Sequence, residues 1–193
     1  MLIEIKSRFT GRVLFSRTAE GNTIKATVEA AVSARANLAD ANLGGAHLTG
    51  AYLTGAYLAG AYLAGADLAD ANLAGAYLAG ANLTGAYLGG AYLGGANLTG
   101  AYLRGAKWRD GITLTRAPLQ LHGLRYSVTI LDSHMQIGCK LYALAEWVAF
   151  TDAEIAEMDR AGALEFWRAH KAALLALAAS DGRGEQAAAQ EAA

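Results

Sequence analysis

A repeat with a period of five residues runs from Ala36 to Gly105 without an insertion or a deletion. Each of its fourteen units has Ala first and Leu third, with Asn, Tyr, Asp or His between them. Helices repeat their apolar residues about every 3.6 positions and flat strands every 2, so neither element fits this spacing. A short fixed period predicts a stacked repeat structure instead of an ordinary globular core.

The fifth position of each unit predicts a turn at every repeat. It is Gly in twelve units and Asp in two, at Asp40 and Asp70. Both residue types accept positive φ angles at low cost. We therefore expect the chain to bend once per unit.

The units ANLAD, ANLGG, ADLAD and ANLTG closely resemble the pentapeptide-repeat family, whose motif is A-(D/N)-L-x-x. The resemblance covers about a third of the chain. It implies an all-β solenoid core, a right-handed quadrilateral parallel β-helix in which four units make one coil of twenty residues. In that fold the Leu and the preceding Ala point inward, and the other three positions point outward.

A structural core follows from this geometry. The narrow axis leaves room for one large side chain per unit, which explains the Ala beside each Leu. Each buried Leu is expected to contribute roughly 1.5–3 kcal/mol. After Gly105 the motif decays and a Trp replaces the Leu, where a larger ring could plug the last coil. The predicted core residues are Leu38, Leu43, Leu48, Leu53, Leu58, Leu63, Leu68, Leu73, Leu78, Leu83, Leu88, Leu93, Leu98, Leu103 and Trp108.

Segments of different character flank the repeat. Alternation around Thr10-Gly11 predicts a β-hairpin. Asn22 or Thr23 can begin a helix that ends near Arg35 and covers the open end of the first coil. The only proline, Pro118, marks the exit from the repeat. The predicted domains are 1–35, hairpin and capping helix; 36–110, β-helix; 111–180, a small C-terminal α/β module; and 181–193, a disordered tail.

The C-terminal module begins with two segments of period two, RYSVTIL and MQIGCKL, which predict a second hairpin. Thr151 and Glu154 have the spacing of a capping box, and a longer helix is expected over 163–180, with Leu164, Trp167, Leu174, Leu175 and Ala178 as its buried side. With IGC at 137–139, Trp147 and Phe166-Trp167, the module looks similar to C-terminal modules on some pentapeptide-repeat proteins of phages and bacteria. That second resemblance implies no activity.

Composition indicates few special partners. Formal net charge is −1, so no strongly charged partner is implied. A single cysteine allows no internal disulfide and fits a reducing compartment. Charges near the start disfavour a secretory leader, and the apolar run 172–179 is too short to span a bilayer. We therefore expect a cytoplasmic protein, with no membrane segment, from a phage or a bacterium.

The chain offers little for chemistry. A nucleophile pair of His134 and Cys139 is conceivable, but a cysteine in a strand is more often simply buried. No metal-ligand spacing recurs, and no phosphate-binding loop is present. We predict no catalytic, cofactor-binding or metal-binding residue, no cofactor, no evident small-molecule substrate and no enzymatic activity. The reactive side chains considered are Cys139, His47, His122, His134 and His170.

The residue before each Leu points outward in this fold, and it is often tyrosine. Residues twenty apart form columns with neighbours roughly 4.8 Å apart, near enough for rings and amides to form ladders. Tyrosine is favoured in contact surfaces because it buries much area at little entropic cost. Two interpretations stay open: a protein interface, or rings that only cover the β-surface. The candidate residues are Tyr52, Tyr57, Tyr62, Tyr77, Tyr87, Tyr92 and Tyr102.

Some members of the resembled family mimic DNA and inhibit gyrase. A tube near 17 Å long would need about ten negative charges to match B-DNA. The repeats carry Asp40, Asp67 and Asp70 against Arg104. The favoured function is therefore a non-enzymatic scaffold that binds a protein partner or another copy through its outer faces, its C-terminal module or both. Regulation of a DNA enzyme such as gyrase is the alternative, and nucleic-acid binding is disfavoured.

Overall fold

The fold is taken from a computed structural model that describes residues 1–121, 123–159 and 162–184. The chain divides into two compact units, Met1–Ala117 and Pro118–Ala193. The first contains the whole repeat together with the predicted N-terminal cap. The second contains the C-terminal module.

Parallel bridges join repeat residues that are twenty positions apart, as between Asn37 and Tyr57 or Tyr57 and Tyr77. Hydrogen bonds follow the same interval: the N–H of Leu58 donates to the carbonyl of Tyr77, and the N–H of Tyr77 to the carbonyl of Ala56. One coil therefore takes twenty residues, or four units. The repeats form a parallel β-helix.

Every fifth residue of the repeat has a positive φ angle. Asp40 and Asp70 adopt φ angles of 59° and 55°, in the left-handed region that the twelve glycines occupy in the other units. Aspartate tolerates this conformation better than most residues because its short polar side chain can bond locally. The turn predicted at each unit is thus present along the whole repeat.

The interior is formed by the first and third positions. The Leu side chains from Leu38 to Leu93 and Leu103 are at most 5% exposed. Trp108, one coil beyond Leu88, is also 5% exposed. Leu98 departs from the prediction, since it is only partly buried. It lies in the last coil, and the repeat motif has ended before the position twenty residues further along.

The N-terminal segment folds as predicted, into a hairpin followed by a helix. Strands β1 (Leu2–Lys6) and β2 (Val13–Thr18) pair antiparallel, and helix α1 spans Ile24–Ser33. Of the two capping candidates, Thr23 is the N-cap, and its Oγ1 accepts from the N–H of Ala26 at 3.1 Å. Asn22 instead is buried and accepts from Thr27 Oγ1.

Hairpin and helix both bond to the open edge of the first coil. The N–H of Asn42 donates to the carbonyl of Lys6, and the N–H of Arg8 donates to the carbonyl of Asp40, both at 2.8 Å. From α1, Lys25 Nζ donates to the carbonyl of Thr49 at 2.8 Å. An unpaired strand edge is a template for aggregation, so these bonds protect the N-terminal end of the β-helix.

The repeat ends in a short antiparallel pair within the first unit. Strand β3 (Ala106–Lys107) continues the β-helix, a single 3₁₀ turn follows at Arg109–Gly111, and β4 (Thr113–Leu114) pairs back on β3. Leu114 is fully buried. Arg109 reaches back along the coils to Asp70, with 3.3 Å between Nη2 and Oδ1.

The second unit contains a four-stranded antiparallel sheet in the order β5-β6-β7-β8. The predicted hairpin is its central pair, β6 (Val128–Ile130) and β7 (His134–Ile137). Strands β5 (Leu119–Leu121) and β8 (Lys140–Ala143) add to its two edges. The segment MQIGCKL is therefore two strands and a turn, because Gly138 takes a φ of 57° and reverses the chain.

Three helices follow the sheet: α2 (Leu144–Ala149), α3 (Asp152–Met158) and α4 (Ala163–Ser180). The capping box at Thr151 is present, with the Thr151 N–H donating to Glu154 Oε2 at 2.8 Å. On α4 the buried side chains include Trp167, Leu174 and Ala178 as predicted, together with Phe166. Leu164 and Leu175 are partly buried and pack at the margin of this core.

The chain past α4 differs from the predicted disordered tail as far as Gly184. The side chain of Arg183 is 2% exposed, and its Nη1 donates to the carbonyl of Ile130 at 3.0 Å. Asp181 accepts from Arg183 Nε at 2.7 Å. Residues 185–193, the rest of that predicted tail, lie outside the described residues.

Candidate functional site

The outer surface of the β-helix is organised in columns of residues twenty apart. The bridges bear out the predicted registers, including Tyr57 with Tyr77 and Asp67 with Tyr87. In the column His47-Asp67-Tyr87-Lys107, Lys107 Nζ lies 5.0 Å from the ring centroid of Tyr87. Tyr87 and Lys107, which are twenty residues apart, are thus in contact along the axis.

Asparagine and aspartate in these columns serve their own turns. The Oδ1 of each accepts from the N–H two residues ahead, as from Ala39 to Asn37 at 2.9 Å and from Thr84 to Asn82 at 2.9 Å. This Asx turn satisfies the backbone donor of the fourth position. Equivalent bonds are made by Asn42, Asp67, Asn72 and Asn97. Bonds to their own turns therefore account for the asparagine and aspartate side chains of these columns.

Tyrosine at the same position makes no such contribution, because its only polar atom is at the far end of the ring. All seven tyrosines of the repeat are exposed. Tyr52 and Tyr102 are 72% and 65% exposed, whereas the other five range from 37% to 49%. The rings of Tyr57 and Tyr77 stack with centroids 5.2 Å apart and planes at 16°.

The five-residue period, the i to i+20 bridges and the inward Leu together define the class of repeat. Residues 36–75 and 71–107 match the family model for pentapeptide repeats, in eight copies. Residues 36–107 are therefore pentapeptide repeats. The match ends at residue 107, so the second resemblance, that of the C-terminal module, stays a prediction.

Two solved structures are similar to parts of this chain. One is the pentapeptide repeat protein Rfr23 from the cyanobacterium Cyanothece 51142, 45% identical over 31% of this chain and 37% of that chain, with a TM-score of 0.23. The other is HetL, a pentapeptide repeat protein involved in heterocyst differentiation regulation from the cyanobacterium Nostoc sp. strain PCC 7120. It is 36% identical over 37% of this chain and 42% of that chain, with a TM-score of 0.17.

The chain thus spans less than half the length of each of these two solved structures. No curated protein matches the chain. In the described part of the chain, no helix is long and apolar enough to cross a bilayer.

The pentapeptide repeats carry few free charges. Asp67 accepts from Thr49 Oγ1 at 2.7 Å and from the N–H of Ala69 at 3.1 Å. Asp70 is paired with Arg109. The carboxylates that the sequence offers for a DNA-like surface are therefore partly neutralised or engaged in turns.

The His134 and Cys139 pair is not brought together. His134 begins β7, where its Nδ1 lies 2.8 Å from Ser133 Oγ, and Cys139 follows the other end of that strand. Cys139 is exposed in the turn after Gly138, contrary to the expectation of a buried strand cysteine. The pKa of His134 is lowered mainly by burial, with Glu146 acting weakly in the opposite direction.

The remaining histidines do not assemble a site. His47 is exposed in its column, and the ring of His170 lies 4.6 Å from that of Phe166. His122 lies outside the described residues. Among the residues described, no three His, Cys, Asp or Glu side chains are placed to hold a metal ion.

Proposed function

We propose that the protein is a non-enzymatic scaffold whose tyrosine-bearing β-helix faces bind a protein partner or a second copy of the chain. The observation that carries this proposal is the division of labour at the second repeat position. Asparagine and aspartate there bond their own turns, whereas tyrosine gives up that bond and presents an exposed ring. Turn formation does not explain any of these seven exposed rings, so a binding surface is proposed for them.

The chemistry of this surface suits a protein partner. Exposed aromatic rings that are held by neighbours lose little conformational entropy on binding, and they bury a large area each. The rings of Tyr57 and Tyr77 stack, so each ring is held by the other. The same surface, with Asp70 ion-paired, has too little negative charge for the alternative function as a DNA-mimicking regulator of an enzyme such as gyrase.

The finer geometry belongs to the same proposal. We expect the β-helix to be right-handed and four-sided, as the resemblance implies, so that each column occupies one face. A cytoplasmic location and a phage or bacterial origin are also retained as proposals.

The test replaces tyrosine by asparagine, because five units already carry asparagine at that position. Tyr57→Asn with Tyr77→Asn removes the rings of one column and leaves a side chain that can form the Asx turn. Tyr62→Asn with Tyr102→Asn does the same on the next column and is the matched control. Far-ultraviolet circular dichroism checks that both variants fold.

Binding is then compared by affinity capture from a bacterial lysate and by sedimentation velocity of the purified protein. A partner, or a dimer, lost in one column variant and kept in the other supports the proposal and identifies the face. If a variant with all seven tyrosines changed to asparagine keeps every interaction, the tyrosine faces are not the binding surface.

A further inference from the structure

The C-terminal unit contains a pocket of about 220 Å³ that the sequence did not reveal. It lies beside the turn after β7, between that turn and residues of the three helices. Its apolar wall includes Ile137, Trp147, Ile155, Met158, Phe166 and Trp167. Concave sites lined mainly by apolar and aromatic side chains with a few polar groups are typical of small-molecule binding, so the pocket is a candidate ligand site.

The aromatic wall is held in place by its own contacts. Trp147 Nε1 donates to the carbonyl of Met135 at 2.6 Å, and its ring centroid lies 5.1 Å from that of Trp167. Phe166 meets the ring of Tyr126 edge-on at 5.1 Å. Because both contacts fix the orientation of large rings, the pocket exists before any ligand enters.

The size of the pocket limits the ligand to a small molecule. A cavity of about 150 Å³ lined by apolar side chains is enough to bind benzene. A pocket of about 220 Å³ therefore has room for one ring and a short substituent.

The polar groups of the pocket determine the expected charge of that substituent. Lys140 lines the pocket, and no described carboxylate forms an ion pair with it. A ligand with an anionic oxygen would satisfy this charge.

Cationic ligands are disfavoured by contacts that already exist. The carboxylate of Asp159 accepts from the Tyr126 hydroxyl at 2.5 Å, which raises the pKa of Tyr126. Lys171 Nζ lies 5.4 Å from the Trp167 ring centroid, and the Arg125 guanidinium lies 5.7 Å from that of Tyr126. The carboxylate that lines the pocket is therefore already engaged, and two cations already lie against its aromatic rings.

We propose that this pocket binds a small single-ring aromatic carboxylate, with the ring among the tryptophans and Phe166 and the carboxylate at Lys140. This binding is independent of the tyrosine faces of the β-helix. The only cysteine of the chain, Cys139, is exposed and also lines the pocket, so it reports on occupancy.

The experiment uses the full chain with phenylacetate as the probe and phenethylamine and L-phenylalanine as comparisons. Alkylation of Cys139 by iodoacetamide and quenching of tryptophan fluorescence are followed as each compound is added. We expect phenylacetate to slow alkylation and to quench fluorescence with one saturation curve. Phenethylamine should do neither.

Two variants test the assigned contacts without removing the apolar wall. Lys140→Met keeps the aliphatic stem and removes the charge, so it should weaken phenylacetate by about tenfold, whereas Lys140→Arg should retain binding. Equal binding of acid and amine, unchanged affinity in Lys140→Met, or the absence of saturation with phenylacetate would each overturn the proposal.

Discussion

The carboxylate of Glu29 on α1 accepts a hydrogen bond from the backbone N–H of Tyr52, with 2.9 Å between Oε1 and the nitrogen. In the next coil the equivalent donor, the N–H of Asn72, bonds to the carbonyl of Ala51. Tyr52 has no preceding coil, and a side chain of the capping helix takes that place. The first coil is thereby closed by a residue from outside the repeat.

Loss of this bond should destabilise the N-terminal end of the β-helix. We expect Glu29→Ala to lower the free energy of unfolding by about 1 kcal/mol, because one edge donor loses its partner at an exposed site. Glu29→Gln keeps an acceptor and should cost less. Urea denaturation of both variants measures the difference, and equal losses would show that the bond to Tyr52 contributes nothing.

The ring of Tyr62 lies over Gly44, where an added β-carbon would stand 2.5 Å from Cε1. The φ angle of Gly44 is not positive, so the backbone conformation does not require glycine here. The contact with the Tyr62 ring is what leaves no room for a larger residue. Gly44→Ala should therefore displace the Tyr62 ring and change the near-ultraviolet circular dichroism of the tyrosines. The double variant Gly44→Ala with Tyr62→Asn should be more stable than the sum of the single changes predicts.

Leu68 is fully buried in the interior of the β-helix. Leu68→Asp would bury a carboxylate without a partner, and we expect a loss of at least about 4 kcal/mol in the free energy of unfolding. The neighbouring change Ala69→Asp is the control, because Arg104 shows that the fourth position accepts a charge. An unchanged melting temperature in Leu68→Asp would contradict the inward assignment.

Burial lowers the pKa of His134 below its ordinary value of 6.5. As the pH falls, the His134 side chain therefore takes up its proton in the unfolded chain before it does so in the folded chain. The contribution of His134 to the free energy of unfolding is complete above about pH 6.5 and is lost as the pH falls towards the folded pKa. His134→Gln removes this contribution. Between about pH 8 and about pH 5.5, the urea midpoint of the wild type should fall further than that of His134→Gln.

Local rules explain the parts of the fold that were predicted correctly. Thr23 and Thr151 cap their helices because the bond needs only a residue three positions away. The coil is equally local in origin, since every unit repeats the same inward Leu and the same turn. Features of this kind depend only on nearby residues, so they form wherever the segment folds.

The errors arose where a single backbone angle or a distant partner decided the outcome. A φ of 57° at Gly138 divided one predicted strand into β7 and β8 and left Cys139 in the exposed turn between them. Arg183 is buried because the carbonyl of Ile130 accepts from it, fifty-three positions earlier. Neither effect leaves a period or a motif in the sequence.

The candidate sites divide in the same way. The outward position of the tyrosines follows from the amino-acid sequence alone, because a strict period assigns each position to one side of the β-helix wall. Three features became visible only in the folded chain: asparagine bonds its own turn, Leu98 is incompletely covered in the last coil, and the C-terminal unit contains an aromatic pocket. Each of these depends on which groups remain unpaired or uncovered after packing, and that is a property of the folded chain.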